Sequence, residues 1–345
     1  MRPRNLYIHF PFCRRKCSYC ALHSRAGVSQ QDRDEYVRSL VEAARGEYAT
    51  VYFGGGSPAL CDLRPLLDVV KGDEFTVELH PLDVTKGLLA TLKAGGVNRI
   101  SMGVQSLDDA ILSDMGRGYT FDEAEKAFAL VKSVFDNAGI DLIVGYPGET
   151  GALIPRHARL VNWGLRHCSV YSLILEEKTL LWRRFCGDRP RKPREQEGVA
   201  QLPEDDIVLD RIGIVARFLH EIGLERYEIS NYSVSGFECR HNLAVWRGED
   251  YLGIGEGAHG RVGLKRTEWL RTGLSESKVT PEEDEKERCF FRLRTREGLD
   301  ASRHPEWEQT LGKYCEEGLL TQAGTCYRLT DRGTEVCDSI LLDLV

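Results

Sequence analysis

The stretch "LYIHFPFCRRKCSYCALHS" at residues 6–24 decides the fold. A short apolar run, typical of a buried β-strand, is followed by three cysteines within eight positions, Cys13, Cys17 and Cys20. Clustered thiolates of this kind select an iron-sulfur cluster or zinc. A closed zinc site, or a four-iron cluster held by protein alone, needs four ligands. The pattern therefore predicts a metal site, and it leaves open what fills the fourth ligand position.

Three consecutive basic residues, Arg14, Arg15 and Lys16, separate the first two cysteines. Positive charge next to a thiol favours the thiolate, so this pattern predicts lowered thiol pKa values. The spacing alone leaves an alternative open, which is a zinc site completed by a residue from elsewhere in the chain.

Short apolar runs alternate with longer amphipathic stretches over the first half of the chain. Helices are predicted at 32–45 and at 121–139, the second ending in a left-handed cap at Gly139. Strands separated by helices, with continuous apolar runs, predict an α/β fold with a parallel sheet, a partial (βα)6 barrel. The predicted strands are 6–10, 50–53, 75–79, 99–104, 140–144 and 169–175.

Polar residues follow several of these predicted strands. In "YFGGGSP", residues 52–58, three glycines would let a ligand approach the backbone and would leave amide donors free for an anion such as a carboxylate. A simple tight turn is the alternative. Glu78, Gln105 and Asp141 lie at the ends of later strands. Since the ends of parallel strands meet at one edge of the sheet, these residues predict a small-molecule crevice.

The chain is predicted to have three parts: a barrel over 1–180, an extension over 181–280 and a winged-helix-like domain over 281–345. The segment "GDRPRKPREQEG" at 187–198 indicates an exposed linker or lid. "RYEISNY" at 226–232 indicates one short strand. The last part has 15 acidic and 9 basic residues, which favours packing or protein contact over DNA binding.

Composition excludes several classes of protein. A net charge of −7 over 345 residues offers no broad basic surface for nucleic acid. No apolar run approaches the roughly 18 to 20 residues that span a bilayer, so an integral membrane protein is not expected. An odd total of 11 cysteines, with no signal peptide ahead of them, predicts a reducing, cytoplasmic compartment and no disulfide scaffold.

Six motifs occur in an order that identifies a family. The sequence resembles radical S-adenosylmethionine proteins of the oxygen-independent coproporphyrinogen III oxidase family, from Tyr7 to about Gly260. The resemblance rests on "YIHFPFCRRKCSYC" (7–20), "GGGSP" (54–58), "GVNRISMGVQSLDDAILSDMGR" (96–117), "IDLIVGYPGET" (140–150), "YSLILEE" (171–177) and "YEISNYSVSGFECRHN" (227–242).

The resemblance implies that Cys13, Cys17 and Cys20 hold three irons of a [4Fe-4S] cluster, and that S-adenosylmethionine chelates the fourth. One electron, from a donor such as flavodoxin or ferredoxin, would cleave the sulfonium and release a deoxyadenosyl radical. By the same resemblance, the residues that contact S-adenosylmethionine or lie beside the cluster are Tyr7, Tyr19, Gly55, Gly56, Ser57, Glu78, Gln105, Arg117, Asp141 and Ile174. Ordinary ion pairing is the alternative for Arg117 and Asp141.

Two features separate the branches of this family. The oxidase branch carries a further cysteine in C-x3-C-x2-C-x-C and an N-terminal extension that helps to hold the tetrapyrrole. Here Leu22 occupies the cysteine position, and six residues precede Tyr7 in the sequence. Both features disfavour a decarboxylating oxidase.

The haem-chaperone branch carries an H-N-x-x-Y-W motif, and this chain has "HNLAVW" at 241–246. His241, Asn242 and Trp246 match, whereas Val245 replaces the tyrosine. The resemblance implies that the three matching residues bind haem, since histidine is the usual proximal haem ligand and tryptophan offers a flat face. A structural histidine is the alternative for His241, and further candidate haem ligands are Cys239 and His259.

The resemblance thus favours a haem-binding radical S-adenosylmethionine protein that passes haem to acceptor proteins. Two enzymes that act on tetrapyrroles remain as alternatives. One is an oxidase that converts coproporphyrinogen III to protoporphyrinogen IX, and the other is an anaerobic methyltransferase that opens the porphyrin ring.

Overall fold

The computed structural model describes residues 3–149, 153–186 and 201–344, so the predicted linker at 187–198 lies outside the described residues. Six parallel strands stand side by side in chain order, each reached by a crossover. They are β1 (Asn5–Phe10), β2 (Gly46–Gly55), β3 (Val70–Leu79), β4 (Arg99–Gln105), β5 (Ala138–Val144) and β6 (His167–Ser172). The predicted α/β fold with six parallel strands is confirmed.

Further strands extend this sheet on both sides, so that the sheet has twelve strands in the described part of the chain. On one side β9 pairs parallel with β1, and three antiparallel strands follow. On the other side a hairpin pairs with β6, so "RYEISNY" forms two strands where one was predicted. These strands are β7 (Glu225–Glu228), β8 (Asn231–Ser233), β9 (Tyr251–Ile254), β10 (His259–Val262), β11 (Lys265–Leu270) and β12 (Gly273–Lys278).

Helices connect the parallel strands, and their caps follow from the sequence. Ser29 caps the first helix by accepting a hydrogen bond from the Asp32 amide, and Thr120 with Glu123 forms a capping box at the fifth. The helices before the C-terminal part are α1 (Gln30–Ala44), α2 (Arg64–Leu67), α3 (Lys86–Ala94), α4 (Asp109–Met115), α5 (Phe121–Lys132), α6 (Leu153–Leu160), α7 (Leu180–Cys186), α8 (Asp205–Glu221) and α9 (Arg240–Trp246).

The predicted end of the fifth helix at Gly139 is wrong. Helix α5 ends at Lys132, and Gly139 lies inside strand β5. A Cβ atom at this glycine would lie 2.6 Å from the carbonyl oxygen of His167 on β6. Gly139 therefore serves the close approach of two strands and not a helix cap.

The main hydrophobic core lies between the parallel sheet and its helices. Leu6, Ile8 and Phe10 of β1 are fully buried, and Phe53 and Phe75 from the next two strands pack edge to face at 4.8 Å. Because both faces of these strands are covered, their sequences read as continuous apolar runs. Among the described helices none is long and apolar enough to cross a membrane.

The C-terminal part has its own core and its own three-stranded sheet. Its elements are α10 (Pro281–Leu293), β13 (Leu299–Asp300), α11 (Glu308–Glu316), β14 (Leu320–Ala323), β15 (Cys326–Leu329), α12 (Asp331–Glu335) and α13 (Cys337–Leu342). The buried side chain of Arg261 on β10 joins this part to the main sheet through Asp284 of α10, at 2.6 Å. The boundaries between the three predicted parts stay predictions.

Candidate functional site

The cysteine loop is closed by backbone hydrogen bonds at its base. The Cys13 amide donates to the Arg25 carbonyl at 2.9 Å, and the Arg25 amide donates to the Pro11 carbonyl at 2.8 Å. On its far side the Ser18 amide donates to the Met115 carbonyl of α4 at 3.0 Å. The loop therefore has fixed attachments at its base and on its far side, which hold its thiols over the end of the sheet.

The glycine segment, residues 54–57 at the end of β2, is hydrogen-bonded to the chain that leads into the cysteine loop. The Gly56 amide donates to the Phe10 carbonyl at 2.8 Å, and the Ser57 amide donates to the Phe12 carbonyl at 2.7 Å. A Cβ atom at Gly56 would lie only 2.4 Å from the Phe12 oxygen. Glycine is required here because two backbone segments touch.

In the described part of the chain, the amides of Gly55, Gly56 and Ser57 already donate hydrogen bonds within the protein. The Gly55 amide donates to Glu78 Oε2 at 3.1 Å, and the next two amides hold the loop. Gly55 has φ +103°, and a Cβ atom there would lie 2.6 Å from the His9 ring. The prediction that these amides are free for an anion is wrong for Gly55, Gly56 and Ser57, because their amides are used within the protein.

The three cysteines line a cavity of about 510 Å³, called here the thiol cavity. Of the ten residues predicted to contact S-adenosylmethionine, eight line it: Tyr19, Gly55, Gly56, Glu78, Gln105, Arg117, Asp141 and Ile174. Ser57 and Tyr7 lie outside the described lining. The Ser57 hydroxyl donates a hydrogen bond to Asp83, which also accepts one from Arg14 of the cysteine loop. Tyr7 lines a second cavity that adjoins the thiol cavity.

An iron-sulfur cluster and a zinc ion are the two alternatives for the three cysteines. In the described ranges, no three His, Cys, Asp or Glu side chains converge closely enough to hold one metal ion. A single zinc ion needs such convergence, whereas a four-iron cluster takes one thiolate at each iron and spreads the thiolates apart. The choice between a cluster and zinc at these three cysteines stays a prediction.

The predicted lowering of the thiol pKa values is wrong for two of the three cysteines. Burial raises the pKa of Cys13 and of Cys20, although the positive charge of Lys16 acts in the opposite direction. The Lys16 ammonium instead donates hydrogen bonds to the Leu22 carbonyl at 2.7 Å and to Ser24 Oγ at 3.1 Å. Desolvation outweighs the basic neighbours because the loop folds inward.

Arg117 brings a buried positive charge into the thiol cavity. Its Nη2 donates to the Gly103 carbonyl at 2.6 Å, its Nε donates to the Tyr119 hydroxyl at 3.0 Å, and its Nη1 lies 3.5 Å from Cys17 Sγ. These contacts fix the guanidinium against a thiol, where it would stabilise negative charge on a thiolate-bound cluster.

Two half-buried carboxyl groups, those of Glu78 and Asp141, also line the thiol cavity. Burial, reinforced by nearby Asp141, raises the pKa of Glu78 to about 7, although Tyr52 donates to its Oε1 at 2.8 Å. Burial also raises the pKa of Asp141, which accepts a hydrogen bond from Ser101 at 3.0 Å. Two neighbouring carboxyl groups of this kind are stabilised when one of them is protonated or when a cationic ligand binds nearby.

Gln105 adopts a backbone conformation that is uncommon for a side-chain-bearing residue. Its φ is +71°, at an irregularity in the pairing of β4 with β5. A Cβ atom at Gly103 would lie 2.6 Å from the Gln105 amide nitrogen, so glycine leaves room for that side chain. Strained residues and bulges concentrate at binding sites, where they redirect a side chain.

A second and larger cavity of about 790 Å³ adjoins the first. Its ring side chains, which give it the name aromatic cavity, are Tyr7, Tyr52, Tyr171, Trp246, Tyr251 and Trp269, with His9, His23, His241 and His259. The two cavities share Ala21, Leu22, Glu78 and Tyr171. Leu22, which replaces the extra cysteine of the oxidase branch, thus lies where the cavities meet, and it is 54% exposed.

Helix α9 presents the residues predicted to bind haem, and Asn242 and Val245 also line the aromatic cavity. Glu74 of β3 holds the start of the helix by accepting hydrogen bonds from the Arg240 amide at 3.0 Å and the His241 amide at 2.9 Å. A carboxylate at a helix N-terminus stabilises it through the exposed amides and the helix dipole.

His241 is neutral and tightly held. Burial, with help from the positive charge of Arg99, lowers its pKa to about 3. Its Nδ1 lies 2.8 Å from the Thr50 hydroxyl, and its ring lies 5.3 Å from the Tyr52 ring. His259 lines the same cavity, whereas Cys239 is fully buried outside the described lining. Of the three candidate haem ligands, His241 and His259 thus line the aromatic cavity, whereas Cys239 is not among its described lining residues.

Trp246 closes the other end of helix α9. Its indole packs edge to face on Phe291 at 5.8 Å and donates a hydrogen bond to Glu228. Burial raises the pKa of Glu228 to about 7. The residues predicted for haem thus come together on one wall of the aromatic cavity.

Several residues of this site were missed in the sequence. Thr50, Tyr52 and Glu74 lie on strands β2 and β3, far along the chain from His241. A polar side chain inside an apolar strand is the only signal that marks them, and many buried structural residues give the same signal.

The chain was compared with known proteins. Residues 7–161 match the Radical SAM superfamily model. The chain is 30% identical to "Heme chaperone HemW" of Lactococcus lactis over 98% of its own length and 96% of that protein. It is 31% identical to "Heme chaperone HemW" of Escherichia coli over 98% of its length and 97% of that protein.

Among solved structures, coproporphyrinogen III oxidase (HemN) from Escherichia coli, described as a radical SAM enzyme, superposes with a TM-score of 0.80. It covers 99% of this chain and 90% of its own, at 20% sequence identity, and shows the same fold. The chain therefore belongs to the radical SAM superfamily and, within it, to the oxygen-independent coproporphyrinogen III oxidase family that includes the HemW proteins.

Proposed function

We propose that this protein binds a [4Fe-4S] cluster, S-adenosylmethionine and haem, and that it delivers haem to acceptor proteins in the cytoplasm. The observation that carries the proposal is the aromatic cavity, which adjoins the thiol cavity and is lined by a buried, neutral histidine and by a tryptophan from one helix. The name of the relatives, haem chaperone, supports the same function.

The thiol cavity suits the cluster and S-adenosylmethionine. Three cysteines would hold three irons, and Arg117 beside Cys17 would offset the negative charge of the thiolates. Glu78 and Asp141 would attract the cationic groups of the cofactor, because both carboxyl groups line the cavity and a nearby positive charge would stabilise their ionised forms. When both groups are bound and an electron arrives from a partner such as flavodoxin or ferredoxin, they supply the reductive cleavage of a sulfonium.

The aromatic cavity suits haem. Its volume of about 790 Å³ lies within the usual range for sites that enclose one organic ligand, about 300–1,000 Å³. His241 would bind the iron, and Trp246 would offer its face to the macrocycle. Val245 also lines the cavity, so the position of the missing tyrosine adds an apolar contact instead of a phenol.

The proposal is tested by titrating haem into the anaerobically reconstituted protein. We expect a saturable change in the Soret band with one haem per chain, and a His241→Ala variant should lose most of that affinity. A matched control is His220→Ala, because this exposed histidine pairs with Glu225 at the surface. Absence of saturable binding by the wild type, or equal binding by the His241 variant, would contradict the proposal.

The same sample separates the chaperone from the two enzymes. With dithionite, S-adenosylmethionine and coproporphyrinogen III, the proposal expects no protoporphyrinogen IX. Added haem should be recovered intact and should pass to an apo-haemoprotein. Formation of protoporphyrinogen IX would instead show the oxidase, and loss of haem with methyl transfer would show the ring-opening methyltransferase.

A further inference from the structure

Three buried polar side chains, Asn5, Thr50 and His241, form a hydrogen-bonded row that links strands β1 and β2 to helix α9. Asn5 of β1 and Thr50 of β2 are paired across the two strands, and each is 2% exposed. Thr50 Oγ1 lies 2.8 Å from Asn5 Oδ1 and 2.8 Å from His241 Nδ1. Buried polar groups in a row of this kind are normally fully hydrogen-bonded, so the direction of each proton can be worked out.

The direction of the Asn5 amide is fixed by its other contacts. Its Nδ2 donates to the Asp250 carbonyl at 3.1 Å and lies 3.4 Å from a carboxylate oxygen of Glu249. Both of these partners only accept hydrogen bonds, so the amide nitrogen must face them. Asn5 Oδ1 therefore faces Thr50.

The direction of the Thr50 hydroxyl follows. A threonine hydroxyl can donate one hydrogen bond, and Asn5 Oδ1 can only accept one. Thr50 therefore donates its hydrogen bond to Asn5 Oδ1. Towards His241 the hydroxyl oxygen only accepts, and the histidine must donate from Nδ1. In a neutral imidazole with its proton on Nδ1, Nε2 keeps a lone pair.

We propose that Asn5 and Thr50 are positioning residues that keep the proton of His241 on Nδ1, so that Nε2 offers its lone pair to a metal in the aromatic cavity. Within the described residues, Nε2 of His241 makes no hydrogen bond. The inference rests on the proposed function only in taking this metal to be haem iron; the tautomer itself follows from the hydrogen bonds.

The arrangement has a chemical purpose. A histidine that binds a metal through one nitrogen usually donates its other N–H to a fixed acceptor, which sets the tautomer and the ring orientation. Loss of that acceptor costs about 10–100-fold in metal affinity in metalloproteins. Thr50 supplies the acceptor here, and Asn5 ensures that Thr50 cannot act as the donor.

The tautomer can be read directly in the full-length, cluster-loaded protein without haem. Histidine labelled with ¹⁵N is observed through long-range proton–nitrogen correlations, and His241 is assigned from its absence in a His241→Asn variant. We expect a protonated Nδ1 and an unprotonated Nε2. A proton on Nε2 would overturn the proposal, whether or not haem binds.

Two variants then test whether the tautomer matters for binding. Thr50→Val keeps the shape of the side chain but removes the acceptor, and we expect its haem affinity to fall about 10–100-fold with a changed Soret position. Thr50→Ser keeps the hydroxyl and should bind like the wild type. Iron content and thermal unfolding of both variants report on folding.

The outcomes separate the two proposals. Equal haem affinity in the wild type and in a folded Thr50→Val variant would overturn the role of Thr50. Failure of the wild type to bind haem would overturn the proposed function, while the nitrogen spectrum would still decide the tautomer. If Thr50→Val does not fold, the spectrum of the wild type and the affinity of Thr50→Ser decide the proposal.

Discussion

The thiol cavity and the aromatic cavity share a wall, but they are assembled in different ways. The thiol cavity takes its metal donors from eight consecutive positions, and backbone contacts between the cysteine loop and the glycine segment hold them in place. The aromatic cavity collects its rings from β1, β2, β6, β9, β10, β11, α9 and the cysteine loop, and side chains of β2 and β3 hold His241 by hydrogen bonds.

This difference predicts two kinds of sensitivity. The thiol cavity should fail when the backbone of the loop or the glycine segment is displaced, and its metal should be lost as a whole. The aromatic cavity should tolerate such changes but respond to the loss of single buried hydrogen bonds. Variants that affect only one of the two cavities can therefore test whether they act separately.

The largest effect is expected from Cys17→Ser. Removal of one of three thiolates should reduce bound iron from about four per chain to nearly none, because a cluster with two protein ligands is poorly held. The matched control is Cys186→Ser, an exposed cysteine at the end of α7, which should keep its iron. Retained haem affinity in Cys17→Ser would confirm separate cavities, whereas joint loss of iron and haem would show one coupled site.

The next effect concerns Glu78, which lines both cavities. Its pKa is near 4.5 in the unfolded chain and about 7 when buried, so the folded protein holds a proton that the unfolded chain releases between these values. Stability should therefore fall as the pH rises from about 5 to about 8, by about 3 kcal/mol from this group. Urea unfolding of the cluster-free protein measures it.

A Glu78→Gln variant should lose this contribution because the amide does not titrate. Glu47→Gln, at an exposed position, serves as the control and should keep the slope of the wild type. An unchanged slope in Glu78→Gln would show that the carboxyl group is ionised in the folded protein over this pH range.

Gly56→Ala tests the backbone contact beneath the cysteine loop. The added methyl group would meet the Phe12 carbonyl, which cannot move without displacing the loop, so unfolding free energy should fall by about 1–3 kcal/mol. Iron uptake should fall with it. Gly312→Ala in helix α11 has open space around the new methyl group and should instead stabilise by about 0.5–1 kcal/mol. Normal iron uptake in Gly56→Ala would contradict the proposed backbone support.

The smallest effect is expected from Glu74→Gln on the aromatic side. One carboxylate oxygen would be replaced by an amide group that cannot accept, which weakens the hold on the start of α9 by about 1 kcal/mol. Haem affinity should fall several-fold while iron content stays unchanged. The surface variant Glu225→Gln is the control. An effect on iron but not on haem would reverse the assignment of Glu74 to the aromatic cavity.

The sequence predicted the thiol cavity more fully than the aromatic one. The cysteine spacing, the six strands and the polar residues Glu78 and Gln105 at strand ends are local patterns, and the parallel sheet brings them to one edge. The predicted position of Asp141 at a strand end is wrong, because Asp141 lies in the middle of β5. Eight of the predicted cofactor contacts line one cavity for this reason. The predicted roles of these residues toward S-adenosylmethionine stay predictions.

Other expectations failed where burial or close packing decided the outcome. The pKa values of Cys13 and Cys20 depend on how deeply the loop folds inward, which the neighbouring charges do not reveal. The amides of the glycine segment are used within the protein, and Gly139 serves a contact between strands. Thr50 and Glu74 could not be linked to His241 because their contact spans more than 160 positions.

The most direct test is a titration with haem of the reconstituted wild-type protein in the presence and absence of saturating S-adenosylmethionine, with both bound ligands counted. Two adjoining but separate cavities predict one haem and one S-adenosylmethionine per chain at the same time, and a haem affinity that depends on His241 and not on Cys17. Mutual exclusion of the two ligands, or haem binding that needs Cys17 and ignores His241, would contradict the assignment of the aromatic cavity to haem.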